Sequence, residues 1–194
     1  NQSAETRVSV SEQLEFVIDL SRQVYDLSAG AFDVTVGSLV NLWGFGPTGP
    51  SNGVPDLKDI QSALSRTGFH RLHLAGGELE RPVSMYIDFS AIAKGYAVDE
   101  IAGLIEASGS DSYLVEIGGE VKAKGRNSRG RYWVIGVEAP DREVRLLHST
   151  LPLADLALAT SGDYRNYFEY QGQIFSHSID PRIGWPVKHS LSSV

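Results

Sequence analysis

Apolar residues recur at helical spacing in two long stretches of the chain. Over residues 11–27 they fall on one helical face, Ser11 is suited to cap its start, and Gly30 can take the left-handed position after its end. The second stretch covers residues 91–107. A shorter helix is expected from Asp56 to Ser65, after a loop over residues 46–55 that is rich in Gly and Pro. The pattern therefore predicts helices near the start and in the middle of the chain.

Beyond the second long helix the pattern changes to short segments rich in strand-favouring residues. A hairpin is expected where residues 164–170 and 173–178 meet around Gln171 and Gly172. Helices segregated from closely linked strands are typical of an α+β fold, with antiparallel sheets and helices packed on one side, here as one domain over residues 1–194. The other predicted strands are residues 112–117, 119–124, 132–137, 144–149 and 153–159.

A strand is also predicted over residues 84–89, running into the second long helix. The switch falls near Ser90, which we expect to be the N-cap. The free N–H groups and the dipole of a helix start favour a phosphate oxygen. Lys94 lies in that first turn, where it opposes the dipole by roughly a few tenths of a kcal/mol, so its placement indicates a bound anion. The alternative is a solvated surface lysine.

Two polar residues near the end of the chain are further candidates. His177 precedes a turn built on Asp180, Pro181 and Gly184, and because imidazole titrates near neutral pH it could act as a base. Asp163 follows a Ser–Gly pair that allows a ligand to approach the backbone closely. The alternatives are a structural histidine and an Asx-turn aspartate.

Two other segments allow both a ligand-binding and a structural interpretation. Phe32 beside Asp33 offers an aromatic face and a carboxylate that can hold a nucleotide, although a buried Phe with an N-cap Asp is the alternative. Gly118 and Gly119 follow an apolar strand in the manner of a ligand-approach loop, but the full dinucleotide fingerprint is absent. Both segments are therefore candidates for contact with a nucleotide.

Composition excludes several classes of function. The 194 residues carry a net charge of -7 and no Lys/Arg cluster, so nucleic acid is not an expected partner. With no cysteine there can be no disulfide, thiolate zinc site or cysteine nucleophile, and the histidines lack zinc-ligand spacing. No apolar run is long enough to cross a bilayer.

Four segments together resemble the ApbE family of FAD:protein FMN transferases. The motifs that carry the resemblance are GAFD, AKGYAVD, SGDY and HSIDPRIG, and an apolar strand ending in IGGE lies between the second and third. These motifs lie in residues 29–46, 88–99, 113–125 and 159–194, so the resemblance covers nearly the whole chain.

The resemblance implies an enzyme that splits FAD, links FMN through its phosphate to a Thr or Ser hydroxyl of an acceptor flavoprotein, and releases AMP. Magnesium is the implied cofactor, bound in part by the backbone carbonyl of Ala91. His177 is the implied base that deprotonates the acceptor hydroxyl. The residues whose family counterparts contact the nucleotide are Ala31, Phe32, Asp33, Asp88, Lys94 and Ile179.

The chain departs from the family pattern at Ser178 and Ile183, which affects the turn after His177. The chain begins at Asn1 without a leader, and the family continues past the position of Val194 into a segment that completes the magnesium site. We therefore expect a piece of a longer protein that lacks amino-terminal and carboxy-terminal parts of the family. By itself this piece is expected to bind flavin weakly or not at all and not to be competent for transfer. By resemblance that protein belongs to the periplasm or cell envelope, with a lost lipid anchor as its only link to the membrane.

Three alternatives to FMN transfer stay open at this point. A magnesium-dependent FAD pyrophosphatase would use water in place of the protein hydroxyl and would give FMN and AMP. A flavin-binding module would retain FAD without catalysis. A structural domain would use the motif residues for packing alone.

Overall fold

The structure is a computed structural model that describes residues 1, 3–51 and 53–194. Its α-helices are α1 (Glu12–Leu27), α2 (Gly37–Leu42), α3 (Leu57–Leu64) and α4 (Ala93–Ala107). The strands are β1 (Arg7–Ser9), β2 (His73–Ala75), β3 (Glu78–Glu80), β4 (Tyr113–Ile117), β5 (Glu120–Lys124), β6 (Trp133–Glu138), β7 (Leu147–Leu153), β8 (Leu156–Leu158), β9 (Tyr167–Tyr170), β10 (Gln173–Ser176), β11 (Ile179–Asp180) and β12 (Trp185–Pro186).

All of the strand pairs in these elements are antiparallel. The sheets run in the orders β1-β3-β2, β4-β5-β8, β6-β7, β10-β9 and β11-β12. Short links favour antiparallel pairing because a parallel pair needs a long crossover. The predicted α+β class is confirmed.

Several local predictions are also confirmed. The Ser11 hydroxyl accepts a hydrogen bond from the Leu14 N–H at 3.3 Å, and Gly30 has a φ of 79° after the end of α1. In the hairpin β9–β10, Gln171 and Gly172 have φ values of 50° and 73°, as a tight primed turn requires. The described part of the loop over residues 46–55 contains no helix or strand; Asn52 lies outside the described residues.

The chain divides into two compact units. Unit 1 comprises residues 1–91 and 166–189. Its core has two apolar clusters, one around Ile18, Phe69 and Leu72, the other around Trp43 and Leu39, all with 0% exposure. The second cluster gathers aromatic rings from β9, β10 and β12, so burial of those rings holds the hairpins onto α2 and α3.

Unit 2 comprises residues 92–165 and 190–194. Val98 and Ala102 on α4 pack on Tyr113 and Val115 of β4, which alternates inward-facing and outward-facing residues. A second cluster forms where β5 meets β7 around Val121 and Leu153. The prediction of a single domain over residues 1–194 stays a prediction.

The predicted strand over residues 84–89 is wrong. Met85 and Ile87 do point inward, as the alternation indicates, and both are buried. However, the Ile87 backbone bonds to the side chain of Asn1 in both directions, at 2.8 Å each, and the Asp88 N–H donates to the Val34 carbonyl at 2.7 Å. These partners are a side chain and a single carbonyl, so no ladder forms.

Ser90 is not the N-cap of α4, which begins at Ala93 with Ile92 in the capping position. The Ser90 hydroxyl and N–H both donate to Oδ1 of Asp88 instead. The chain makes an Asx-type turn there, and the helix starts two residues later than its sequence pattern predicts.

The strand expected over residues 144–149 is also misplaced, because β7 covers Leu147–Leu153 and includes Pro152. Proline is tolerated there because β6 and β7 form a two-stranded sheet in which β7 has a free side. Among the described residues, the helices are all too short or too polar to cross a membrane.

Candidate functional site

Asp33 is a buried carboxylate with an 8% exposed fraction. Its Oδ1 accepts hydrogen bonds from the Thr35 N–H at 2.8 Å and the Thr35 hydroxyl at 2.6 Å, and its Oδ2 accepts one from the Phe69 N–H at 3.1 Å. The side chain therefore caps the 3-10 turn Val34–Val36 and ties it to Phe69. The capping interpretation is confirmed, and a contact with nucleotide stays a prediction.

Asp88 lies beside the Asp33 loop, because its N–H bonds to the carbonyl of Val34. The two segments come this close because Gly37 lacks a side chain. A Cβ there would lie 2.5 Å from Cδ1 of Tyr86 and 2.8 Å from the Tyr86 carbonyl oxygen. The structure thus brings together two of the predicted motifs, GAFD and the start of DFSAIAKGYAVD. Ala31 is exposed and Phe32 half-buried next to them.

His177 is half-buried at the end of β10. Its N–H donates to the Asn166 carbonyl at 3.1 Å, and its ring Nδ1 lies 3.2 Å from the same oxygen. A carbonyl oxygen can only accept, so in a neutral ring the proton is on Nδ1 and Nε2 carries the free electron pair. The edge of the ring meets Phe45, with centroids 6.3 Å apart.

The segment after His177 is anchored in the second apolar cluster of unit 1. Ile179 packs there, and the Trp43 indole N–H donates to the Gly184 carbonyl at 2.9 Å. Arg182 binds Asp180 through Nε and Nη2, at 2.8 and 2.6 Å, and so lowers the pKa of that carboxyl. Ile183 is exposed in the same turn.

Lys94 lies in the first turn of α4, as predicted, within unit 2. Its Nζ lies 2.7 Å from Oε2 of Glu120 and donates to the Gly118 carbonyl at 3.2 Å. The solvated interpretation of Lys94 therefore describes only part of its side chain, which is 46% exposed. Binding of an anion by Lys94 stays a prediction.

Asp163 is half-buried in unit 2. Its N–H donates to the Ser192 carbonyl at 3.3 Å, within a short antiparallel contact that also pairs Gly162 with Ser193. Residues 191–194 therefore pair with this segment through one isolated bridge. Binding of a nucleotide by Asp163 stays a prediction.

Ala91 is exposed in the turn before α4, and its carbonyl is the type of hard oxygen ligand that magnesium prefers. Among the described residues, no group of three or more His, Asp or Glu side chains is arranged to hold a metal ion. One carbonyl does not make a magnesium site, so no step below depends on the metal.

Sequence reasoning missed Glu116 and Glu120. Glu116 Oε1 accepts from the Gly119 N–H at 2.7 Å, and Glu120 binds Lys94 as above. The available signal is the pair of acids on either side of Gly118 and Gly119 in VEIGGE, a segment for which the sequence pattern predicts only a loop that a ligand approaches.

The comparisons with known proteins identify the same family as the sequence motifs do. The sequence model of the ApbE family matches residues 1–194. The chain belongs to the ApbE family. Among curated relatives, the FAD:protein FMN transferase of Vibrio cholerae is 42% identical over 187 residues, which are 96% of this chain and 56% of that protein.

Solved ApbE structures match the fold as well. The flavin transferase ApbE from Vibrio cholerae has a TM-score of 0.85 and 38% identity, over 98% of this chain and 60% of that one. The apo flavinyl transferase ApbE from Pseudomonas stutzeri has a TM-score of 0.84 and 41% identity, over 96% of this chain and 58% of that one. The chain spans 56% to 58% of the length of three curated ApbE relatives.

Proposed function

We propose that this ApbE chain takes part in moving FMN from FAD to a Thr or Ser hydroxyl of an acceptor flavoprotein, with release of AMP. The observation that carries the proposal is the family match over all 194 residues, together with relatives named FAD:protein FMN transferase at 36% to 42% identity over 95% or more of the chain. The acceptor flavoprotein and the location in the periplasm or cell envelope belong to the proposal, since the family resemblance alone supports them.

In the proposed reaction the acceptor hydroxyl oxygen attacks the phosphorus on the FMN side of the FAD diphosphate. A P–O bond forms to the acceptor, the P–O bond to AMP breaks, and AMP leaves with the bridging oxygen. The hydroxyl proton goes to Nε2 of His177, whose free electron pair is set by the bond from Nδ1 to the Asn166 carbonyl.

Lys94 is the proposed partner of the diphosphate, because its exposed ammonium group can offset the charge of a phosphate oxygen. The proposed nucleotide contacts are Ala31, Phe32, Asp33, Asp88, Asp163 and Ile179. Magnesium, when bound, would stabilise charge that develops on the phosphate oxygens. Ala91 would contribute its carbonyl to that site, and the described residues offer no group of three or more His, Asp or Glu side chains that could complete it.

The decisive experiment, like those below, uses a full-length version of the protein. It incubates that protein with FAD and Mg²⁺, with and without an acceptor that carries a target Thr. FMN found covalently on the acceptor by mass spectrometry supports transfer. Free FMN and AMP in the absence of acceptor would support the pyrophosphatase alternative, and intact FAD that stays bound would support a binding module. No retention of FAD at all would contradict the proposal.

For His177→Asn we expect the transfer rate to fall about a hundredfold or more, because a general base typically contributes that much. FAD affinity should be nearly unchanged, since the base acts on the acceptor hydroxyl. Single-turnover rates and equilibrium FAD titration separate the two effects. An unchanged transfer rate would remove His177 from the mechanism.

For Lys94→Ala we expect weaker FAD binding, by about tenfold or more, because a charge-assisted bond to the diphosphate is lost. The free energy of unfolding should change little. Lys122→Ala is the matched control, since Lys122 also pairs with an acidic residue at 2.7 Å across α4 and β5. Equal FAD affinity for Lys94→Ala and the parent protein would contradict the assignment.

A further inference from the structure

Ion pairs join one face of α4 to alternate residues of β5 within unit 2. Two of them place the acid on the helix and the lysine on the strand. The pair nearest the helix start is reversed, with the lysine on the helix and the acid on the strand. The pairs, from the start of α4, are Lys94–Glu120 at 2.7 Å, Asp99–Lys122 at 2.7 Å and Glu106–Lys124 at 3.3 Å.

The reversal places a cation where helix physics favours an anion. An acidic residue in the first turn would be stabilised by the helix dipole, whereas Lys94 is opposed by it. By the same rule stability would favour a base in the last turn, so Glu106 is opposed by the dipole as well. What distinguishes Lys94 is that its ammonium group, in the first turn, also meets a backbone carbonyl.

Two groups of different kinds hold this ammonium group. Glu120 contributes a carboxylate whose side chain is only 16% exposed, and Gly118 contributes a backbone carbonyl. A lysine ammonium has three N–H donors. One meets the Gly118 carbonyl, whereas the contact with Glu120 is an ion pair in which Oε2 accepts no hydrogen bond from the described residues. Donors therefore remain for a ligand, and the Lys94 side chain is 46% exposed.

The turn between β4 and β5 fixes the position of the carbonyl. Gly118 and Gly119 have φ values of 57° and 97°, and the Gly119 N–H is held by the Glu116 carboxylate at 2.7 Å. A Cβ on Gly118 would lie 3.1 Å from Cδ of Lys94, so the stem of the lysine passes close over the turn. Glycine at this position therefore allows both the turn and the close approach of Lys94.

We infer that Glu120 is a positioning residue for Lys94. With the Gly118 carbonyl, it orders the lysine before the diphosphate arrives and leaves N–H donors of Nζ for one phosphate oxygen. Ordering a long side chain in advance saves the entropy that binding would otherwise cost. This inference rests on the proposed function, since it takes the anion to be the diphosphate of FAD.

The test compares Glu120→Ala and Glu120→Gln by equilibrium FAD titration. Glu120→Ala should raise the dissociation constant about threefold to tenfold, the cost of ordering one flexible side chain on binding. Glu120→Gln should restore most of the affinity, because it keeps an oxygen beside Nζ on a side chain of the same length. Two results would overturn the inference. If both variants bind FAD more tightly than the parent protein, Glu120 only competes with the diphosphate for Lys94. If Glu120→Ala binds FAD as the parent protein does, Glu120 does not position Lys94.

A measurement without flavin separates this inference from the proposed function. Acetylation of Lys94 Nζ, followed by mass spectrometry, should be faster in Glu120→Ala than in the parent protein and nearly normal in Glu120→Gln. Asp99→Ala is the matched control, because it frees Lys122 and should leave Lys94 unaffected. An unchanged rate at Lys94 in Glu120→Ala would overturn the inference.

Lys94→Ala distinguishes the two proposals. If it leaves FAD affinity intact, the role of Lys94 in the proposed function is wrong. If it weakens binding, Glu120→Ala should add nothing further in the Lys94→Ala background. A further loss of affinity in the double variant would mean that Glu120 acts on FAD without Lys94, which also overturns the inference.

Discussion

At the scale of single residues, a side chain in a family motif can have a structural role of its own. The Asp33 carboxylate accepts hydrogen bonds from Thr35 and Phe69, both in unit 1, and the exposed fraction of Asp33 is 8%. A nucleotide contact by its carboxylate would have to share oxygens with Thr35 and Phe69. A stability measurement without any flavin therefore isolates the structural part of its role.

For Asp33→Ala we expect the free energy of unfolding to fall by about 2–4 kcal/mol, because buried N–H groups of Thr35 and Phe69 lose their acceptor. Urea denaturation measures the change. Asp56→Ala is the matched control, since Asp56 also occupies an N-cap but is exposed and makes no side-chain capping bond. Its effect should stay within about 0.5 kcal/mol. Equal losses in the two variants would contradict the buried network.

At the scale of elements, α2 is a short helix whose position depends on contacts outside it. Its first residue, Gly37, packs on the backbone of Tyr86, in the segment that leads to Asp88. Helix propensity favours alanine over glycine, so intrinsic propensity and packing make opposite predictions here. Packing should prevail because the nearest atoms include a backbone oxygen, which cannot rotate away.

For Gly37→Ala we expect a loss of about 1–3 kcal/mol from overpacking. Thermal or urea unfolding measures it. Gly103→Ala in α4 is the matched control: a Cβ there meets nothing within 4 Å, so the variant should gain about 0.5–1 kcal/mol. A stabilised Gly37→Ala variant would show that α2 and the Tyr86 segment are not in contact as described.

At the scale of the whole molecule, the chain has a net charge of -7, and several of its carboxyl groups ionise more readily in the folded protein than in the unfolded chain. Hydrogen bonds from Arg182 lower the pKa of Asp180, and a bond from the Tyr113 hydroxyl lowers the pKa of Glu106. Backbone N–H groups of Val144 and Glu143 do the same to the pKa of Asp141. In acid the unfolded chain therefore takes up more protons than the folded one, and the free energy of unfolding decreases as the pH is lowered.

Asp180→Asn tests the acid limb of that stability. The pKa of Asp180 is below its ordinary value of 3.8 in the folded protein, so its contribution is present above that pH and is lost as the pH falls through the lowered pKa. Arg182 is largely exposed, which limits the effect to about 1 kcal/mol near neutral pH. Urea denaturation should show the difference between parent and variant shrinking towards zero in strong acid. A difference independent of pH would contradict ionisation as its cause.

Local patterns predicted much of the fold. The caps of α1, the primed turn of β9–β10 and the antiparallel pairing of β4 with β5 follow from interactions between residues a few positions apart. The prediction of a strand over residues 84–89 was wrong because that segment depends on residues far away along the chain. Its inward alternation was correct, but its hydrogen-bond partners were Asn1 and Val34, which no local pattern could name.

The amino-acid sequence by itself determined the family, the helices, the turns and the identity of the candidate residues. It could do so because periodicity, capping and glycine conformation act over a few residues, and because four motifs in order are specific. Only the tertiary structure decided that Asp33 is a buried cap, that Asp88 lies beside its loop, and that Lys94 is held by Glu120. The contacts Asp33–Phe69, Asp88–Val34 and Lys94–Glu120 join residues 36, 54 and 26 positions apart along the chain. Packing, rather than local preference, brings such residues together.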